Sequence, residues 1–311
     1  MHGSVVLSAK GHFSHNRDKA YKNGKKGRVS MVNVYAEKCI GCAQCAEVCS
    51  FDALAVADGK VAFKEGSICN ECGHCEAICP TEAITVAGYD HSETIAYSQD
   101  EFELPSGNFL NALKFRRSIR EFKDTEIAQE KIEAILEAGR YSPTASNRQP
   151  LRYIVLSKQK VEETSRLAHE IFKTATDDIA HRDEIVRDKF KGVPRYFDMW
   201  IPRCKEYFEK GIDRFFFHAS AVVIMVAKKD DPWAKTDGSI AYGNMDMMAN
   251  ALGLGTCFVG MFEIAGGVDK KLYESIGIKE DEAPFVTFAI GEPRVKYRRT
   301  TARKKLDITV L

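Results

Sequence analysis

Eight of the ten cysteines stand in two runs of one spacing. The first run is Cys39-x2-Cys42-x2-Cys45-x3-Cys49, and the second is Cys69-x2-Cys72-x2-Cys75-x3-Cys79-Pro80. Three thiolates two residues apart wrap a turn of backbone around three corners of a cube-shaped iron–sulfur cluster. The fourth cysteine of such a run ligates the cluster of the other run. The spacing predicts one 4Fe–4S cluster on Cys39, Cys42, Cys45 and Cys79, and another on Cys69, Cys72, Cys75 and Cys49. Zinc ribbons also use paired CxxC units. They seldom add a third cysteine at x2 and a fourth at x3, and never need both twice. Cys204 and Cys257 stand outside the runs and read as small core hydrophobes. The eight histidines form no ligand cluster in sequence.

Short elements must hold these runs. "ALAVADGKVAF" alternates apolar and polar residues around Asp58-Gly59 and reads as a hairpin. "TEAITVAGY" after the second run reads as a helix-to-strand passage. Residues 31–88 carry eight acidic residues and three lysines, a balance that suits a carrier docking on basic partners and equally suits solubility. This region resembles the bacterial two-cluster 4Fe–4S ferredoxins, with all eight ligand positions in order. Ser50 stands where that family usually has proline; Pro80 keeps the feature in the second run.

The totals bound the rest. The chain has 311 residues, a length that suits two domains, and 44% are hydrophobic. A net charge of +1 argues against a nucleic-acid partner. No stretch approaches the roughly 18 apolar residues of a membrane span, and no leader pattern is present. Clustered CxxC units in a long chain point to a reducing, cytoplasmic setting. Residues 1–30 hold seven basic residues against Asp18 alone and show no hydrophobic period, so they read as a solvated basic tail. Residues 89–107 are polar and without period, and read as a linker.

Residues 108–311 read as a larger domain. A helix-like run ends in Arg116, Arg117, Ser118 and Arg120, whose guanidinium forks and hydroxyl suit a phosphate. Ile132, Ile135 and Leu136 follow at helical spacing, with Gly139 near the stop. Residues 142–150 form a polar loop, SPTASNRQP, before the apolar strand Tyr153–Leu156. Then come a strand at Ala221–Ala227, a helix across Ile240–Leu252, the stretch GLGTCFVG at 253–260, a strand at Pro284–Gly291 and a basic tail. GLGTCFVG follows a helix and has the wrong glycine spacing for a dinucleotide fingerprint.

Four motifs in order, RRSIREF, SPTASNRQP, LGLGTCFVG and GEPRVKYRRTTARKK, resemble the FMN-dependent nitroreductase family. The resemblance implies an α+β chain: a two-cluster ferredoxin-like domain followed by a nitroreductase-fold FMN domain. It implies a homodimer binding FMN through Arg116, Arg117, Ser118 and Arg120. It also implies that Pro143, Thr144, Ala145 and Asn147 reach the flavin of the other subunit, that the backbone of Gly260 lies near flavin N5, and that Arg303 and, more weakly, Arg299 are phosphate ligands. No residue matches the family's helix-borne Asn and Lys beside the ring, and Arg214 is the substitute considered. Phe258-Val259 replace the family's usual pair before Gly260, which alters the pocket. The implied activity is FMN-dependent oxidoreduction: two clusters relay electrons to FMN for reduction of a nitroaromatic, quinone or related small-molecule acceptor. The donor is NAD(P)H or reduced ferredoxin, and no protein group acts as catalytic acid, base or nucleophile. Two other readings stay open at this level. One is a reductive dehalogenase-like relative closing a lid from residues 180–204. The other is a non-catalytic electron carrier or redox sensor.

Overall fold

The computed structural model describes residues 31–177 and 194–311. The basic tail and residues 180–193 of the proposed lid lie outside the described residues; residues 194–204 belong to a helix. The chain divides into two compact units between Glu93 and Thr94.

The first unit repeats itself. Strand β1 (Val32–Val34) pairs antiparallel with β4 (Ile84–Val86), and β2 (Leu54–Ala57) with β3 (Lys60–Phe63). Short helices α1 (Gln44–Glu47) and α2 (His74–Ala77) follow the second cysteine of each run. Left-handed backbone recurs thirty residues apart, at Gly41 and Glu71, Ala43 and Gly73, Asp52 and Glu82. The hairpin turn carries positive φ at both Asp58 (49°) and Gly59 (73°), the type I′ geometry that matches strand twist. That turn reaches the first cysteine run: a Cβ on Gly41 would lie 2.5 Å from Gly59 O, a rigid backbone atom. Val32, Leu54, Val61, Ala83 and Ile84 make the core with Cys39 and Cys45.

The second unit is a three-layer sandwich. Its sheet runs β5 (Arg152–Ser157), β6 (Ala221–Lys228), β8 (Glu282–Gly291), β7 (Gly255–Phe258), every neighbour antiparallel. The residues of β6 from Ala221 to Ala227 are all buried because both faces are covered. Val222, Ile224 and Val226 pack with Phe172 of α6 (Lys158–Asp177), Trp200 of α7 (Pro194–Lys210) and Phe262 of α9 (Gly260–Val268). Val223 and Met225 turn the other way, onto Ile135 of α5 (Gln129–Arg140) and Met245 of α8 (Ala234–Ala251). This explains why a purely antiparallel strand reads as a continuous apolar run.

Two elements differ from the sequence expectation. Residues 89–107 are not featureless: they hold a 3-10 turn (His91–Glu93), helix α3 (Gln99–Phe102) and the start of α4 (Ser106–Phe115). Helix α8 begins at Ala234, earlier than its apolar pattern suggests. Asp231 accepts from Trp233 N at 2.9 Å, an Asx turn that leads the chain into the helix. No helix among the described residues is long and apolar enough to cross a membrane.

Candidate functional site: thiol sets and a basic cleft

The eight cysteines of the runs are free thiols. Cys49, Cys69, Cys72 and Cys75 line one cavity together, with Phe51, Leu54 and Phe63 as apolar wall. Burial raises the Cys69 thiol, and the charges of Cys72 and Cys49 add to it. Burial likewise raises Cys45, with Cys79 and Cys42 contributing. Cys75 is pushed up to about 11 by burial. Each fourth cysteine thus stands in the electrostatic range of the opposite run.

Backbone amides point at the sulfurs. Ala53 N donates to Cys49 Sγ at 3.3 Å, and Ala83 N, thirty residues on, to Cys79 Sγ at 3.2 Å. Val61 N donates to Cys39 Sγ at 3.4 Å and Glu71 N to Cys69 Sγ at 3.3 Å. Such donors stabilise thiolates. Among the described residues no group of three or more His, Cys, Asp or Glu could hold a single metal ion. A four-iron cube asks for something else, each sulfur on its own iron at a separate corner. The four thiols of the Cys49–Cys69–Cys72–Cys75 cavity, amides aimed at sulfur and an apolar wall fit that group.

The basic motif is held by close packing. Ile119 N donates to Thr256 O and Arg294 N to Glu121 O, both at 2.8 Å, so residues 119–122 lie along β7 and the chain after β8. Gly255 allows it, since a Cβ there would lie 2.3 Å from Ile119 Cγ1. Arg116 Nε pairs with Asp246 Oδ2 of α8 at 3.2 Å. Thr256 Oγ1 donates to Asp246 Oδ1 at 2.5 Å, and Tyr242 OH lies 3.2 Å from the same hydroxyl. Burial holds the Asp246 carboxyl above its ordinary range, against the Thr256 bond and the Arg116 charge. Arg117 is braced by its Nη atoms on Arg116 O (2.8 Å) and Lys114 O (2.9 Å), while its Nε is buried without a partner. Arg116, Arg117, Asp246, Thr256, Lys296 and Tyr297 line an open cleft. Three cations and an orphaned donor against one carboxylate fit an anionic group such as a phosphate. Ser118 is half-buried in the same segment, and Arg120, exposed, hydrogen-bonds Cys257.

The other site candidates fall elsewhere. Ala145 N donates to Asp237 Oδ1 at 3.0 Å, and Arg148 forks onto Asp231 at 2.9 and 2.8 Å. These anchors hold residues 143–149 at the start of α8, with left-handed backbone at Ser146, Asn147 and Gln149. Pro143 is exposed; Thr144 and Asn147 are half-buried. Asp237 and Asp246 are nine residues apart on one helix, about 13 Å at 1.5 Å per residue. Ser142, just before the loop, accepts from Asn244 Nδ2 of the same helix at 2.7 Å. Gly260 opens α9; one turn on, burial raises the Glu263 carboxyl to about 7, its Oε1 unpaired. The cleft lining ends at Tyr297, short of Arg299. Arg303 donates to Thr301 Oγ1 at 2.9 Å within an exposed extension. Arg214 pairs with Glu206 at 3.7 Å. Sequence reading missed Asp246 and Asp237, which lie in an ordinary mixed helix with no spacing signal, and gave Thr256 no role of its own within LGLGTCFVG.

An antiparallel sandwich with a basic cleft, in one chain with a unit bearing two four-cysteine runs, defines a redox protein class. A nitroreductase-family model matches residues 113–292, more than half of the chain, and a 4Fe–4S binding domain model matches residues 32–55. The chain belongs to the nitroreductase family, a family of oxidoreductases. A Staphylococcus haemolyticus protein provisionally named NAD(P)H nitroreductase is 25% identical over 207 residues, 61% of this chain and 92% of that one. An Archaeoglobus fulgidus protein provisionally named NADH dehydrogenase/NAD(P)H nitroreductase is 25% identical over 185 residues, 60% and 85% of the two chains. Among solved structures, a Bacteroides fragilis nitroreductase with bound FMN superposes with TM-score 0.51 at 21% identity, covering 65% of this chain and 97% of its own. A Desulfitobacterium hafniense nitroreductase with bound FMN gives 0.50 at 19%, covering 65% and 97%. These two establish the fold of the second unit.

Proposed function

We propose that this protein is a homodimeric, cytoplasmic FMN oxidoreductase in which two 4Fe–4S clusters deliver electrons for reduction of a nitroaromatic, quinone or related small molecule. The observation that carries the reading is the join itself: two four-cysteine runs of one spacing in the same chain as a nitroreductase-family unit. Clusters carry electrons singly, and a flavin takes one or two and passes on pairs. A flavin served directly by nicotinamide needs no attached clusters, so reduced ferredoxin or another one-electron donor is the favoured source, with NAD(P)H the alternative. The first cluster is assigned to Cys39, Cys42, Cys45 and Cys79, and the second to Cys69, Cys72, Cys75 and Cys49.

The chain's own residues have distinct tasks in this reading. Arg116 and Arg117 hold the FMN phosphate, with Ser118 and Arg120 along the same segment. Asp246, itself held by Thr256, fixes the Arg116 guanidinium. Residues Pro143, Thr144, Ala145 and Asn147 serve the partner's flavin. Arg299 and Arg303 act through the C-terminal extension, and Gly260 leaves room at the flavin edge. A second copy is further supported by apolar surface that one chain leaves in water. Helix α4 buries no residue and exposes Phe109, Leu110 and Leu113; the extension exposes Leu306, Ile308 and Val310.

The test is anaerobic purification of the full chain, with iron, sulfide, flavin and mass measured before turnover. Expected are about eight irons and eight sulfides per chain, one FMN per chain and a dimer. Turnover should run with reduced ferredoxin or a viologen. Stoichiometric zinc without visible absorption, or a monomer holding FMN tightly, would refute the respective assignments. Reduction without turnover on any acceptor would favour an electron carrier.

A further inference from the structure

The two thiol sets receive matched amide donors but different side chains. Val61 N and Ala83 N serve the set of Cys39 and Cys79, and Glu71 N and Ala53 N serve the set of Cys69 and Cys49. Beyond this, His74 Nδ1 lies 2.9 Å from Cys72 Sγ. The matching position of the first run, thirty residues earlier, is Gln44. The first set has its own side-chain neighbour, the Thr81 hydroxyl, at 3.7 Å from Cys79 Sγ, a long and neutral contact. His74 is exposed and belongs to no core cluster, so packing does not explain its place.

The chemistry of that contact has one direction. A thiolate bound to iron carries no proton, so the sulfur can only accept and the imidazole must supply the hydrogen. We propose that His74 is a positioning residue for electron transfer, its Nδ1–H donating to Cys72 Sγ and raising the reduction potential of the cluster on Cys69, Cys72, Cys75 and Cys49. On reduction that cluster takes one electron from a low-potential one-electron donor such as dithionite or reduced ferredoxin. Its net charge becomes one unit more negative, and no bond forms or breaks. The added charge sits partly on the ligand sulfurs, so a donor aimed at sulfur stabilises the reduced form more than the oxidised one. The two clusters of a near-symmetric unit thereby become inequivalent, with a preferred resting place for the electron. The inference rests on the two-cluster reading above.

The experiment is an EPR-monitored redox titration of the anaerobic, full-length holoprotein and its His74→Ala and His74→Asn variants, with iron counted first. Both variants should keep about eight irons per chain. In His74→Ala one of the two potentials should fall, lowering that cluster's reduced-to-oxidised ratio at fixed solution potential about tenfold, or about 59 mV for one electron. Asparagine places an amide N–H where the imidazole Nδ1 stood, so His74→Asn should recover most of the shift. Unchanged potentials in an iron-replete His74→Ala protein would overturn the proposal. So would no recovery with asparagine, or loss of iron in His74→Ala, which would make the residue structural. Fewer than eight irons in the wild-type chain would overturn the two-cluster reading, and the proposal with it.

Discussion

Gly255→Ala is the substitution that most sharply ties packing to the proposed site. The new Cβ would stand 2.3 Å from Ile119 Cγ1, 2.8 Å from Ile119 Cβ and 3.2 Å from Pro293 Cγ. Carbon atoms settle about 3.5–4.0 Å apart, so Ile119 must retreat by more than an ångström. The φ of Gly255 is outside the left-handed region, so alanine meets no backbone penalty and the cost is one of contact. Overpacking of this kind costs about 1–3 kcal/mol. Ile119 cannot retreat alone, because its N–H donates to Thr256 O at 2.8 Å, and it sits between Arg117 and Arg120. The loss should therefore appear twice. Guanidinium unfolding followed by tryptophan emission reports the second unit, since Trp200 and Trp233 both lie there. FMN titration should show weaker binding, tenfold for about every 1.4 kcal/mol that displacement of the arginines removes. Ile119 is 6% exposed, and Ile119→Ala alone should cost about 2–5 kcal/mol. The double variant should cost less than the sum by about 1 kcal/mol or more, because alanine at 119 removes the atom in the way. Additive losses, or a Gly255→Ala protein with wild-type stability and FMN affinity, would refute the argument.

Cys49→Ala should cost the cluster of the second run, leaving about four irons per chain, and EPR should show the first-run signal retained; loss of the first-run signal instead would contradict the crossing. Arg148→Ala removes the cation that forks onto the Asp231 carboxylate, which is 8% exposed and keeps only backbone donors, and should cost about 1–3 kcal/mol in urea unfolding. It should also loosen residues 143–149, readable as faster amide exchange at Ala145 and Gln149. Burial holds the imidazole of His169 neutral, its pKa lowered despite the Ser165 carbonyl and the Asp213 charge, with His218 adding to the lowering. Its Nδ1 lies 2.8 Å from Ser165 O, it stacks on Tyr207 at 3.9 Å, and its Nε2 has no partner. The unfolded chain takes up a proton near pH 6.5 and the folded one only lower. Stability should therefore be full above that pH and fall as pH drops below it. His169→Gln should flatten that part of the stability–pH curve, and an unchanged slope would show that another group carries it.

The sequence by itself marked the three close cysteines of each run as neighbours, because Cys39, Cys42 and Cys45, and Cys69, Cys72 and Cys75, lie within a turn or two of one another and their spacing is their geometry. It specified the 58–59 hairpin for the same local reason. It specified the strand at 221–227 through its apolar residues, and the order of four motifs that matches the family. Only the tertiary structure decided which faces of β6 meet which helices, since a strand buried on both sides shows no alternation. Asp246 and Asp237 look like any carboxylates of a mixed helix until packing sets one on Arg116 and the other on Ala145 N. Gly255 reads as one glycine among several in GLGTCFVG until Ile119 comes against it. His74 reads as a surface residue until the turn at Gly73 brings its ring to Cys72. Spacing along the chain fixes contacts that close within a turn. Contacts between segments far apart in sequence are chosen by burial and by the need to pair buried polar groups, and only the folded chain makes that choice.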